Sequence, residues 1–139
     1  MIKFVENQLT AKQFSYLYNS TGWESFSIEQ IEKSLKNDIY NISAWKNDEL
    51  IGMGRLVGDS AIYWYIQNLI ILPKFQLSGV GTAIMERLLL YIRNNSSLGS
   101  HIIVGLMCSE DTASFYRKFS FDIRPCKTLG PGATLEFDL

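Results

Sequence analysis

The sequence predicts an α/β fold, a single domain over residues 1–139 in which a mixed α+β sheet, mostly antiparallel with one parallel strand pair, is flanked by helices. Three observations carry that expectation. Two alternating runs, "IYNISAW" and "LIGMGRLV", are separated only by the polar Lys46-Asn47-Asp48-Glu49, the pattern of an antiparallel hairpin. The apolar run "NLIILP" is followed by a long amphipathic stretch and then by "HIIVGLMCS", the pattern of a parallel strand, crossover helix and second strand. No repeat, low-complexity tract or linker divides the 139 residues, a length at which roughly two-thirds of the unfolded surface is buried in one core.

The elements follow in order. "IKFV" reads as a short strand, and Thr10 caps a helix running to about Asn19. The loop "STGWESF" leads to Ser27 and Gln30, a capping-box pair that opens a second helix over "IEQIEKSLK". After the hairpin, the run from Ala61 to Leu72 exceeds the usual strand of about 5–6 residues and holds polar Gln67 and Asn68 at its middle, where a bulge or bend fits. The helix after Gly81 places Val80, Ile84, Leu88, Tyr91 and Ile92 on one face, and "NNSSLG" ends it. "HIIVGLMCS" reads as a strand covered on both faces. A short helix over "DTASFYRKF" and two strands, near "FDIRP" and "ATLEF", complete the chain around the turn "LGPG".

Composition removes several classes of function. A net charge of −1 and a pI near 5.8 give no basic field for a polyanion, so no nucleic-acid partner is expected. Apolar stretches fall well short of the roughly 20 residues that cross a bilayer, which predicts no membrane span. Cys108 and Cys126 form no C-x-x-C pair and have no neighbouring histidine, which points to no metal and a reduced, cytoplasmic chain.

The most informative stretch is "QLSGVGTA". Gly79 and Gly81 are poor helix formers at the mouth of a strong helix, a place where bare backbone lets N–H groups and the helix dipole close on an anion. The phosphate loop of nucleotide hydrolases needs a lysine after its last glycine, and the dinucleotide fingerprint needs a third glycine where this chain has Ile84. Gln76-Leu77-Ser78-Gly79-Val80-Gly81 instead resembles Q/R-x-x-G-x-G/A, the pyrophosphate loop of the GCN5-related N-acetyltransferases (GNAT). The resemblance continues before the loop, in Leu69 to Phe75 with its strand-ending proline. It continues after the loop in Phe115-Tyr116-Arg117-Lys118-Phe119-Ser120-Phe121, which matches F-Y-x-K-x-G-F except that serine replaces glycine. The order of elements is similar to that family over nearly the whole chain.

What the resemblance implies is the acyl-CoA N-acyltransferase fold, with acetyl-CoA held where two parallel strands splay apart. The pantetheine arm would pair with the backbone of Leu69, Ile70 and Ile71, and the pyrophosphate with N–H groups between Gln76 and Thr82, that is Leu77, Ser78, Gly79, Val80, Gly81 and Thr82. An acceptor amine would attack the thioester directly, with a backbone N–H near Leu69 or Ile71 stabilising the oxyanion. Tyr116 resembles the general acid that protonates the departing thiolate, with a packed core tyrosine as the plainer alternative. Ser109 stands where many members have a cofactor-contacting asparagine.

No carboxylate lies on the strand that often supplies a base in the family. That leaves Glu24, Glu110, or water polarised by Gln67 or Asn68. Trp23, Glu24, Phe26, Tyr63, Tyr65 and Gln67 are the expected acceptor-pocket residues, an aromatic wall for a small amine. Tyr63 and Tyr65 share one strand face and Trp64 takes the other, so only one set can line a site. His101 and the pair Arg117-Lys118 read as surface residues, and Cys108 as a small buried hydrophobe. The expected activity is acetylation of the primary amine of an amino acid, polyamine or arylalkylamine. The alternatives are a non-catalytic acyl-CoA-binding module and an acetyltransferase for protein N-termini or lysines. A homodimer joined by the C-terminal strand is also compatible with the family.

Overall fold

Asn47 and Asp48 both adopt left-handed backbone, with φ of 49° and 61°, and close a two-residue hairpin between strands β2, Tyr40–Lys46, and β3, Glu49–Gly58. Such turns match the twist of the strands they join, and short polar residues tolerate the conformation. This computed structural model describes residues 1–139 and resolves into two compact units, Met1–Leu106 and Met107–Leu139.

The first unit holds β1 (Ile2–Glu6), α1 (Ala11–Asn19), α2 (Ile28–Lys36), the hairpin, β4 (Tyr63–Ile71), α3 (Val80–Asn94) and β5 (Ile103–Gly105). The sheet order is β1-β2-β3-β4-β5. The first three pairings are antiparallel and β4–β5 is parallel, with α3 as the crossover. The expected mixed sheet is therefore present. Helix α1 opens with a complete capping box, in which Thr10 accepts from the Gln13 N–H and Gln13 accepts from the Thr10 N–H. At α2 the reciprocal arrangement expected for Ser27 and Gln30 is reduced to one bond, from the Gln30 N–H to Ser27 Oγ.

Adjacent strand residues face opposite ways, and the sheet uses both faces. On one face Phe14, Leu17 and Ile31 of α1 and α2 pack with Met53, Ile70 and Leu72. On the other, α3 lies directly against the bare backbone of β3: a Cβ at Gly54 would sit 2.8 Å from Ile84 Cγ2 and 3.1 Å from Leu88 Cδ1. Tyr91 of α3 stacks on Tyr40 at 4.2 Å and meets the edge of the buried Trp64.

The bulge expected near Gln67 is present. Met53 pairs with Ile70 but Arg55 pairs with Gln67, so Gly54 alone stands opposite both Asn68 and Leu69, and Asn68 takes a φ of 53°. One extra residue reverses which side chains face which helix layer. Trp64 therefore points to α3, while Ile70, of the same parity, packs with α1 and α2. Pairing of β4 with β5 covers only Tyr63 to Tyr65 against Ile103 to Gly105, so β4 from Ile66 onward has no strand neighbour on that side. This parting of the parallel pair is the predicted splay.

Two expectations need correction. The strand in "HIIVGLMCS" is only three residues long and is not covered on both faces, since Ile103 is 46% exposed. Apolar content was misread there as full burial. In the second unit, a 3-10 turn (Glu110–Thr112) leads into helix α4 (Ala113–Arg117), but no strand forms near "FDIRP" or "ATLEF". A strand requires a ladder partner, and this segment makes only local bonds, such as Arg124 Nε to the Gly130 carbonyl. Leu135 and Phe137 are left 79% and 74% exposed.

Candidate functional site

The loop at residues 76–79 follows β4 through a 3-10 turn at Pro73–Phe75. Leu77 and Gly79 both have positive φ, 61° and 89°, and Ser78 Oγ donates to the Phe75 carbonyl, which winds the chain tightly into α3. Gly79 is the N-cap and offers no side-chain cap. The first helical bond runs from the Ala83 N–H to the Gly79 carbonyl, so the N–H groups of Val80, Gly81 and Thr82 lack intrahelical acceptors. The first turn of α3 carries no acidic residue, and space above Gly79 is open, with nothing within 4 Å of where a Cβ would project. Free donors, the positive end of a helix of 15 residues and an open approach together suit an anion of diphosphate type.

Strand β4 connects this loop to a second feature. The Leu72 N–H bonds the Ile51 carbonyl of β3, so by strand alternation the peptide groups of Ile71 face the open edge. Consistent with that, the Ile71 carbonyl accepts from Gln76 Nε2 at 3.1 Å, tying the loop to the strand end. Leu69, Ile70 and Ile71, the residues expected to meet the pantetheine arm, thus lie on the unpaired length of β4. The side chain of Ile70 is buried under α1 and α2, so that residue offers only backbone.

At the bulge end of the same strand, a hollow of about 460 Å³ opens between the α1–α2 layer and strands β3 and β4. Phe14, Tyr18 and Phe26 form its aromatic wall, Gln67 and Asn68 its β4 side, and Arg55 its β3 side, with no carboxylate in the lining. Tyr18 stacks on Phe14 at 5.5 Å and meets Phe26 and Trp23 at 5.3 and 5.7 Å, so the exposed α1–α2 loop is held by ring contacts. Two other hollows, one lined by Lys3, Gln13 and Trp45 and one by Phe4, Glu6 and Arg87, lie along β1, away from the bulge.

Of the expected acceptor residues, the structure brings Phe26 and Gln67 to the hollow and Trp23 to the ring cluster behind its wall. Glu24 is exposed on the same loop. Tyr63 and Tyr65 do not line this hollow: Tyr63 is 57% exposed and the ring of Tyr65 is packed beside Gly105. Phe14, Tyr18 and Arg55 were missed. Their signal was present, since Arg55 is the one charged residue in "LIGMGRLV" and shares the parity of the inward-facing Met53.

In the second unit, Tyr116 is buried, with Phe115 and Phe121 at 5.1 and 6.2 Å, and burial followed by the nearby Cys108 raises its pKa above the ordinary 10.0. Its hydroxyl therefore keeps its proton across the neutral range. After α4 the Phe121 N–H reaches the Tyr116 carbonyl and the Ser120 N–H reaches that of Arg117, a Schellman ending in which Ser120 has φ of 70°. The substituted serine thus occupies the left-handed position that glycine fills in the family pattern. Ser109 caps the 3-10 turn and exchanges bonds with Thr112. Glu110, Arg117 and Lys118 are exposed, as is His101 in the first unit. Cys108 is exposed as well, which overturns its reading as a buried hydrophobe.

A mixed sheet whose one parallel strand pair parts beside the N-terminus of the crossover helix has the architecture of acetyltransferases. Residues 38–123 match the family described as "Acetyltransferase (GNAT) domain". The chain belongs to that family. It is 28% identical over 117 residues to an uncharacterized N-acetyltransferase of Prochlorococcus marinus, covering 81% of this chain, and 29% identical over 113 residues to one of Porphyra purpurea, covering 78%. This chain spans 63% of the length of each of those relatives. Among solved structures, a GNAT family acetyltransferase of Streptococcus pneumoniae superposes with a TM-score of 0.82 at 25% identity, covering 99% of this chain and 100% of that one. A Staphylococcus aureus protein of unknown function gives 0.86 at 28% identity with the same coverage. No helix here is long and apolar enough to cross a membrane.

Proposed function

We propose that the two units act as one domain, an acetyl-CoA-dependent N-acetyltransferase acting on the primary amine of a small molecule. The observation that carries this reading is the unpaired length of β4, which runs from a free helix N-terminus at Gly79 to an aromatic hollow at Asn68. Acetyl-CoA, which the family uses, supplies when bound a thioester carbonyl open to attack by a neutral amine.

The chain's own groups supply the rest. N–H groups from Leu77 to Thr82 hold the diphosphate, each bond to a charged acceptor contributing about 1.5–3 kcal/mol. The Ile71 N–H, on the open edge, donates to the carbonyl oxygen as negative charge develops there. Gln67 and Asn68 orient water that takes the amine proton, since the hollow has no carboxylate to do so. Tyr116, by the family resemblance, gives its proton to the departing thiolate. The cofactor-binding set is then Leu69 to Ile71, Gln76 to Thr82, Ser109 and Tyr116.

Within the three acceptor classes expected from sequence, the ring wall of Phe14, Tyr18 and Phe26 favours an arylalkylamine. A polyamine's distal ammonium would find no carboxylate there. The exposed alternation of Leu135, Phe137 and Leu139 supports pairing of the C-terminal segment with a second copy. The test is release of CoA thiol over a panel of amino acids, polyamines and arylalkylamines. Turnover with an arylalkylamine supports the reading, and acetyl-CoA binding without thiol release from any amine refutes it.

A further inference from the structure

Arg55 is 4% exposed in the middle of an apolar strand, a position where an uncompensated guanidinium would be strongly destabilising. Its bonds account for the burial. Nε donates to Asp38 Oδ2 at 3.1 Å, Nη2 to the carbonyl and hydroxyl oxygens of Ser34 at 3.1 and 2.9 Å, and Nη1 to Asn68 Oδ1 at 3.0 Å. Asp38, whose side chain is 5% exposed, is itself held by Asn41 Nδ2 at 3.2 Å, and Asn41 Oδ1 accepts from the Leu9 N–H. The fork therefore spans from the α2–β2 junction to a single residue of β4. That residue is the bulge.

We propose that Arg55 is a positioning residue for acyl transfer, clamping the Asn68 bulge so that the Ile71 N–H stays on the open edge and Gln67 stays in the hollow. The inference rests on the reading of β4 as the reaction centre. Its physics is that of register. Left-handed backbone is disfavoured for a residue with a side chain, and Asn tolerates it chiefly where its short polar group finds a hydrogen bond, so an unsupported Asn68 favours straightening the strand. A one-residue slip would reverse the faces of everything beyond it, withdrawing Ile70 and Leu72 from their cluster and turning the Ile71 N–H toward β3. The charge-assisted bond to Asn68 opposes that slip, and Asp38 neutralises the cation, so Arg55 is not a free clamp for an anionic substrate. Lysine has no planar fork with which to reach Asp38, Ser34 and Asn68 together.

The test compares Arg55→Lys, Asn68→Ala, which removes the acceptor and keeps the cost of left-handed backbone, and the double variant. Three quantities are read in each: kcat, acetyl-CoA Kd by calorimetry, and the amide 15N–1H shifts of Leu69, Ile70 and Ile71. Expected are displaced amides and a kcat loss of about 10–100-fold in each single variant, with Kd little changed, because misplacement of reacting groups by an ångström has that scale. The double variant should be no worse than the poorer single, as two ends of one interaction require. Unmoved amides with unchanged kcat, or losses that multiply in the double variant, overturn the proposal. Absence of turnover in the unsubstituted protein would count against the functional reading alone, with the amide shifts still deciding the clamp. If Arg55→Lys does not fold, Asn68→Ala decides: displaced amides support the clamp, and amides at their original positions refute it.

Discussion

Replacing Gly79 by alanine separates a binding loop from a packing glycine, because its two consequences have different sizes. A Cβ there meets no atom within 4 Å, so no clash arises and the stability cost is that of left-handed backbone at φ 89°, about 1–2 kcal/mol. For a chain of this length that lowers Tm by about 3–7 °C. On the proposed reading the methyl group nevertheless crowds a diphosphate held against the N–H groups of this loop. Loss of one or two bonds to a charged acceptor, about 1.5–6 kcal/mol, weakens acetyl-CoA binding by roughly 10- to 10⁴-fold.

Gly99→Ala, beyond the C-terminal end of α3, is the matched control. Gly99 also has left-handed backbone, φ 78°, with nothing within 4 Å of where a Cβ would stand, so it carries the same cost of about 1–2 kcal/mol and lies outside the proposed cofactor-binding set. Calorimetric titration at 15 °C, well below either transition, gives affinity, and urea unfolding gives stability. Comparable destabilisation with affinity lost only at Gly79 is the expected pattern. Equal affinity in both variants would show that the loop does not hold the diphosphate.

Three further outcomes are expected. Tyr116→Phe should lower kcat by about 10²-fold, the scale of general acid catalysis, while leaving acetyl-CoA Kd unchanged; parallel loss of both would assign Tyr116 to packing. Ser120→Gly should raise stability by about 0.5–1 kcal/mol in urea unfolding, since glycine takes the φ of 70° without the side-chain penalty, and a decrease would contradict the Schellman assignment. Tyr40, raised well above its ordinary 10.0 by burial and then by its 2.6 Å bond to Glu6, should make the fold sensitive to alkali. Above pH 10 the unfolded chain loses this proton while the folded chain keeps it, so unfolding free energy falls by up to about 1.4 kcal/mol per pH unit. Tyr40→Phe should flatten that slope in urea titrations between pH 9 and 11, and an unaltered slope would refute the assignment.

Local chemistry was legible in the sequence wherever one residue type answers one backbone demand. The Asn47-Asp48 turn, the Thr10 cap, the α3 face and the two loop glycines are of that kind. Contacts set by the whole fold were not. Tyr63 and Tyr65 have the right parity for the acceptor side, yet distance along β4 keeps them from the hollow, which no alternation rule reports. Phe14 and Tyr18 read equally well as core residues of an amphipathic helix, and one of them is: Phe14 is buried with Leu17 and also lines the hollow. The C-terminal strands failed for a related reason. "TLEFDL" alternates correctly, but alternation specifies a face and not a partner, and none is present within this chain.

The bulge explains why polar and apolar demands coexist on one strand. Before Asn68, Gln67 faces the α1–α2 side, where it can meet an acceptor. After it, Ile70 and Leu72 seal the core on that same side. A regular strand would also turn alternate residues inward, but residues 67 and 70 differ by an odd number and could not share a face. Only an inserted residue lets a polar group serve the hollow and, three positions later, an isoleucine serve the core. Such an insertion is unstable unless something holds it. The one buried cation of the sheet, offset by Asp38 and directed at Asn68, supplies that hold at the place where the proposed chemistry needs a fixed N–H.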